Sequence, residues 1–268
     1  MSNFTKSIYQ LKCIDDIGRQ ENIIKQINPL SKLIVTVLYI FTVVSMDKYD
    51  ISALLPFLFY QVLLLYLTEI PIKLIAKLSV VGLPLVLGMG LFNLFLDRKV
   101  FIYIGFIPIT YGVISFTSLL IKGCLTVTAG GLLICTMSIE DLAKALRKLH
   151  VPKLITSQLV FMYRYIFILI ESVEQVNNAY MLRAPNQKGI NFKVWGSLLG
   201  QLLLRSFDKA ERIYNAMILR GFNGEYVSYV NEKLKITDFI YILSWIVFLL
   251  TVKYINLPLL IRRMIVGR

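Results

Sequence analysis

Residues 111–137 read YGVISFTSLLIKGCLTVTAGGLLICTM, and residues 138–150 read SIEDLAKALRKLH. The first stretch carries one charge, Lys122, and exceeds the roughly 20 apolar residues a helix needs to cross a bilayer core of about 30 Å. The second opens with Ser138 as a helix N-cap and Asp141 three residues on. It then places Leu142, Ala145, Leu146 and Leu149 on one stripe and Lys144, Arg147 and Lys148 elsewhere, the pattern of an amphipathic helix. A membrane span leading directly into an amphipathic helix organises the reading of the rest of the chain.

Composition agrees with that reading. The 268 residues are 57% hydrophobic and 17% charged, yet 29 Lys and Arg against 16 Asp and Glu give a net charge of +13. A mean hydropathy of +0.68 excludes disorder, which needs low hydrophobicity. A pI near 9.6 would suit a nucleic-acid partner, but the basic residues sit between long apolar runs rather than on a soluble face. The class that remains is a multi-span membrane protein with positive charge sorted to one side. MSNFTKSIYQLKCIDD at the start has no long apolar core and does not read as a signal peptide.

Working toward the N-terminus, Leu78–Leu96, Ile51–Thr68 and Leu30–Met46 are further candidate spans. Asn28-Pro29 precedes the first, where proline suits a helix start. Pro56 and Pro84 fall inside the second and third, and neighbouring helices can re-satisfy the carbonyls they free. Phe101–Ile109 is apolar but too short to cross, and is read as an interfacial segment. Working toward the C-terminus, a long helix is expected from about Lys153 to Leu182, apolar at first, polar from Glu171 and stopped by Pro185. Another is expected from Lys193 to about Arg220, with Leu203, Phe207, Ala210, Tyr214 and Met217 as a narrow packing seam. Ile236–Val252 is the last clear span, and Ile255–Val266 is a short sixth candidate. The expectation is therefore an all-α polytopic membrane protein. It has five or six transmembrane helices, with membrane helices over 1–137, a module of long amphipathic helices over 138–235, and a C-terminal span over 236–268.

Charge orients this arrangement. Lys6, Lys12, Arg19 and Lys25 precede the first span and Lys73 and Lys77 follow the second, whereas the alternate loops hold only Lys48, Arg98 and Lys99. Residues 138–235 carry 14 basic and 8 acidic residues. The bias places the N-terminus and the amphipathic module in the cytoplasm. Leu154–Ile170 is apolar enough to cross, but crossing would carry the basic segment around Arg183 outside. It is read as lying under, or dipping beneath, the other spans.

Catalytic and metal chemistry find no foothold. Cys13, Cys124 and Cys135 form no CxxC pair, His150 stands alone, and no GxxxxGK[ST] phosphate loop is present. No metal site, cofactor or enzymatic activity is expected. Lys122 is read as snorkelling at the outer interface. No span is read as carrying the acids that an ion carrier would use. Glu140-Asp141 and Glu171 with Glu174, the candidates for a lipid-processing enzyme, read as helix-start and solvated-face charges.

The strongest local signal is Ala216-Met-Ile-Leu-Arg220-Gly221-Phe222. Arginine ends an amphipathic helix, complementing its macrodipole, and glycine permits a left-handed turn. Ala179-Tyr-Met-Leu-Arg183-Ala184 repeats the alanine-to-arginine spacing at the end of another long helix. A guanidinium fork suits a carboxylate-lined groove, although capping alone would also account for each arginine. Met217, Tyr214 and Phe222 are candidate apolar anchors or internal packing residues.

These residues resemble the transmembrane coupling component of energy-coupling-factor (ECF) transporters, whose coupling helices carry two Ala-Arg-Gly motifs. Ala216, Arg220 and Gly221 resemble the second motif intact. Ala179 and Arg183 resemble the first, with Ala184 where the family has glycine. LRSFDKAERIYNAMILRGFNG over 204–224, Asn28-Pro-Leu-Ser-Lys-Leu33, Val151-Pro152 and Tyr163-Arg164-Tyr165 are most similar to the cobalt branch, CbiQ. The resemblance implies a non-catalytic subunit of a bacterial or archaeal cell membrane. Two cytoplasmic ABC ATPase subunits would dock on Arg183, Arg220, Ala179, Ala216, Gly221, Met217 and Phe222. A separate CbiM-like membrane subunit would capture the metal. A coupling component for nickel or a vitamin is the alternative.

Overall fold

The computed structural model describes residues 23–68, 70–96, 100–104, 107–184, 190–224 and 234–254. Eight α-helices lie among them: α1 (Pro29–Val44), α2 (Leu58–Thr68), α3 (Ile72–Leu96), α4 (Tyr111–Thr136), α5 (Ile139–Lys148), α6 (Lys153–Arg183), α7 (Phe192–Leu219) and α8 (Ile236–Tyr254). Among the described residues α4, α6 and α8 are long and apolar enough to cross a membrane, and Pro29–Val44 and Ser52–Thr68 are shorter apolar helices. The protein is a helical membrane protein. The candidate sixth crossing at 255–266, Pro185 and the basic residues Lys6, Lys12 and Arg19 lie outside the described residues.

The chain divides into two compact units, 1–145 with 232–268, and 146–231. The core of the first gathers α1, α2, α4 and α8. Tyr39 of α1 stacks on Tyr60 of α2 at 4.4 Å, and Trp245 of α8 meets Tyr60 edge-on at 4.6 Å. Leu125, Ala129 and Leu132 of α4 close the cluster. Polar groups buried here cannot turn to water, and several find partners inside the protein. Thr36 and Tyr60 share a hydrogen bond of 3.0 Å, Tyr39 donates to the Phe57 carbonyl at 3.1 Å, and Gln61 donates to the Leu125 carbonyl at 2.6 Å.

Helix α3 packs on α4 through small residues. A Cβ on Gly123 would stand 2.5 Å from Val86, and one on Gly82 would stand 2.7 Å from Val127. The glycines let the two backbones approach more closely than side chains would allow, which compensates for the absence of a hydrophobic drive between helices in lipid.

Three expectations change. Ile51–Thr68 is not one α-helix: Ser52–Phe57 is a 3-10 helix containing Pro56, and α2 begins at Leu58. Proline has no N–H to donate to an α ladder, and the eleven residues of α2 rise only about 16 Å. Residues 101–109 are not simply an interfacial segment. Val100–Ile104 (β1) and Ile107–Thr110 (β2) pair antiparallel, with Ile104 opposite Ile107, as befits their β-branched and aromatic composition. Finally, a span does carry an acid: Asp238 in α8 is 1% exposed. It is tolerated because both carboxylate oxygens accept backbone N–H groups, from Asn28 and from Lys235, each at 2.8 Å.

Lysines inside the apolar helices are resolved in a similar way. Lys122 donates to the Met46 carbonyl just past the end of α1, and Lys32 donates to the Thr136 carbonyl at the end of α4, 3.2 Å away. Both ammonium groups meet carbonyls at or near helix C-termini, where positive charge is favoured.

Candidate functional site

Helix α7 begins at Asn191, whose side chain accepts the Lys193 N–H at 3.2 Å, and ends at the arginine motif. The end is a complete Schellman turn. Phe222 N–H donates to the Met217 carbonyl at 3.0 Å and Gly221 N–H to the Ile218 carbonyl at 2.9 Å. Gly221 has φ of +83°, the left-handed conformation that its lack of a Cβ permits. The turn thus uses the backbone to lock the last helical residues, and leaves the Arg220 and Ala216 side chains exposed.

Phe222 returns toward the helix pair and meets Phe161 of α6 edge-on at 5.9 Å. Met217 and Tyr214 line, with Phe161 and Tyr165, an apolar groove of about 660 Å³ between α6 and α7. The seam expected on α7 therefore faces this groove without being covered: no residue of α7 is buried, and Phe207 is 65% exposed. Phe222 and Met217 come together at the turn.

Helix α6 ends differently. Ala184 has φ of −131° and its N–H donates to the Tyr180 carbonyl at 3.0 Å, an ordinary helical bond. No left-handed residue is required after Arg183, which explains how alanine serves where Gly221 stands in the other motif. Arg183 and Ala179 are exposed. The Tyr180 hydroxyl accepts the Asn191 N–H at 3.3 Å, tying the end of α6 to the start of α7.

The capping signal at Ser138 is realised. Ser138 Oγ accepts the Asp141 N–H at 3.2 Å and donates to its carboxylate at 2.8 Å, and Lys144 pairs with Asp141 at 3.0 Å. Burial pushes the Asp141 carboxyl up, but the hydrogen bonds from Ser138 and Lys144 and the Lys144 charge outweigh it and hold it below its usual value. Two features escaped sequence reasoning. His150 closes α5 in a second Schellman turn with φ of +63°, Val151 N–H reaching the Leu146 carbonyl. Histidine is one of the few non-glycine residues enriched there. Asp238 had a readable signal, an acid in the first turn of α8, but its partner Asn28 had none.

The cobalt transport protein family CbiQ matches residues 20–229. The chain belongs to the CbiQ family. Among relatives of this CbiQ-family chain, an uncharacterized protein, MJ1571, from Methanocaldococcus jannaschii is 29% identical over 81% of this chain and 78% of its own length. The nickel permease LarQ of Lactiplantibacillus plantarum is 30% identical over 42% of this chain and 43% of its own. A putative fused cobalt transport protein CbiMQ of Methanocorpusculum labreanum is 29% identical over 33% of this chain and 15% of its own. The chain is accordingly a membrane transport protein by family.

Proposed function

We propose that this chain is the transmembrane coupling subunit of an ECF-type ABC importer for cobalt ion. It passes a conformational change from two cytoplasmic ATPase subunits to a separate metal-capture membrane subunit. The observation that carries the reading is the end of α7: a backbone turn locks the helix while leaving Arg220 and Ala216 exposed for a partner. Arg183 offers a second guanidinium at the end of α6. ATP hydrolysis belongs to the partners, since this chain has no phosphate loop. A CbiM-like capture subunit is supported by the fused CbiMQ relative. The sorting of basic residues supports a cytoplasmic N-terminus and cytoplasmic motifs.

The similarity to nickel permease LarQ favours nickel as the second reading of the cargo. Arg183→Glu with Arg220→Glu tests the docking role. Replacing one member of a buried, hydrogen-bonded charge pair costs about 3–5 kcal/mol, so the double variant is expected to lose the ATPase subunits on co-purification and to stop cobalt uptake. An intact complex with unchanged uptake would overturn it. Competition of cobalt uptake by nickel separates the two cargoes.

A further inference from the structure

The α6–α7 pair holds a second cavity beside the apolar groove, and its lining has the opposite chemistry. Arg205, Lys209 and Arg212 of α7, spaced four and three residues apart, share one helix face and line a cavity of about 650 Å³ with Ser172 and Gln175 of α6. No carboxylate is among the described residues lining it; Asp208 and Glu211 fall outside, and the Asp208 contact with Arg212 is through its backbone carbonyl, 3.1 Å from Nε. Three cations therefore face one space without an anion in its wall.

The apolar groove and the cationic cavity are contiguous, because Lys209 and Ile213 line both. Their order along α6 is informative. Phe161, Tyr165, Ile168 and Leu169 line the groove, and Ser172 and Gln175, the next positions on that helix, line the cationic cavity. On α6 the change from apolar to polar lining thus falls within one turn, opposite the three cations of α7. It lies in a helix that is long and apolar enough to enter a bilayer. An occupant must carry a negative group and an apolar chain joined within a few ångströms.

We propose that the α6–α7 pair binds an anionic phospholipid, with its phosphate-bearing headgroup among Arg205, Lys209 and Arg212 and an acyl chain in the groove beneath Phe161 and Tyr165. Arginine forks suit phosphate oxygens, and basic pockets between membrane helices recognise anionic headgroups. Lys209 lines both spaces, and a lysine at an interface can cover apolar surface with its stem while its ammonium meets the polar side. A zwitterionic lipid would fill the groove equally well but would bring a choline cation to a cavity that already holds three positive charges.

The test is native mass spectrometry of the purified full chain with its co-purifying subunits in detergent, after adding palmitoyl-oleoyl phosphatidylglycerol, the matching phosphatidylcholine, or inorganic phosphate. Phosphatidylglycerol is expected to be retained in preference to phosphatidylcholine and not to be displaced by phosphate. Retention should fall about five-fold for each charge removed in Arg205→Gln, Lys209→Gln and Arg212→Gln. Ala210→Trp, which fills the groove and leaves every charge in place, should lower retention as well. Circular dichroism checks that each variant keeps its helices. Equal retention of the two lipids, or unchanged retention in the triple variant with intact helicity, overturns the proposal. Displacement by phosphate would identify a free anion as the ligand. Protection of the cavity by an acidic segment of a co-purifying protein would identify a protein ligand. Either result overturns the lipid assignment.

Discussion

The Asp238 carboxylate accepts the Asn28 backbone N–H at 2.8 Å across 210 residues of sequence. Its other oxygen accepts the Lys235 N–H at the start of its own helix. One buried acid therefore serves the N-termini of α1 and α8, where negative charge is favoured by both macrodipoles. It also fixes the first helix against the last. Asp238→Ala strands the buried Asn28 N–H, at about 1–3 kcal/mol, and frees the partly buried Lys235 N–H, and is expected to lower the melting temperature in detergent. Asp238→Asn keeps an acceptor and should lower it less. Equal melting of all three chains would show that the carboxylate bears no load.

Gly221 and Ala184 follow equivalent arginines but differ in backbone. Gly221→Ala forces an L side chain into φ of +83°, at about 1–2 kcal/mol, with no neighbouring atom within 4 Å to add a clash. Faster hydrogen exchange over residues 217–222 and, on the proposed docking role, weaker retention of the ATPase subunits are expected. Ala184→Gly, at a residue with negative φ, should leave complex formation unchanged.

Gly123→Ala should drive α3 and α4 apart, because the new Cβ meets Val86. Overpacking of this kind costs about 1–3 kcal/mol. Val86→Ala in the same chain removes the obstructing methyls and should restore much of the loss. Thermal melts of the two single variants and the double variant measure this coupling. Strict additivity would place the strain elsewhere.

Asp141 gives a pH signature. Its folded pKa lies below the unfolded value of 3.8, so its stabilisation is present above that value and is lost as pH falls through the folded value. The difference in melting temperature between the chain and Asp141→Asn is expected to be constant from about pH 7 to pH 5 and to close below about pH 4. A gap that does not narrow as the pH falls below 3.8 would exclude the charge as its source.

Local patterns carried much of this architecture. The span at 111–137, the cap at Ser138 and the left-handed turn at Gly221 each depend on residues within a few positions of one another, so composition and spacing suffice to read them. Pro56 showed where an α ladder would be interrupted, but not that the chain would wind into a 3-10 helix. The β1–β2 pair went unread because a short apolar run has no periodicity that separates strand from interface.

What was legible at the site was the chemistry of Arg220, Gly221 and Phe222; what was not was their surroundings. Sequence alone determined that this is a membrane protein with basic charge sorted along the chain, because hydropathy and charge are properties of single residues summed over windows. Only the tertiary structure decided that Asp238 caps Asn28, that Lys122 ends on the Met46 carbonyl, and that Arg205, Lys209 and Arg212 share a cavity with residues of α6. Those relationships depend on helices meeting in space, and partners far apart along the chain leave no mark in local spacing.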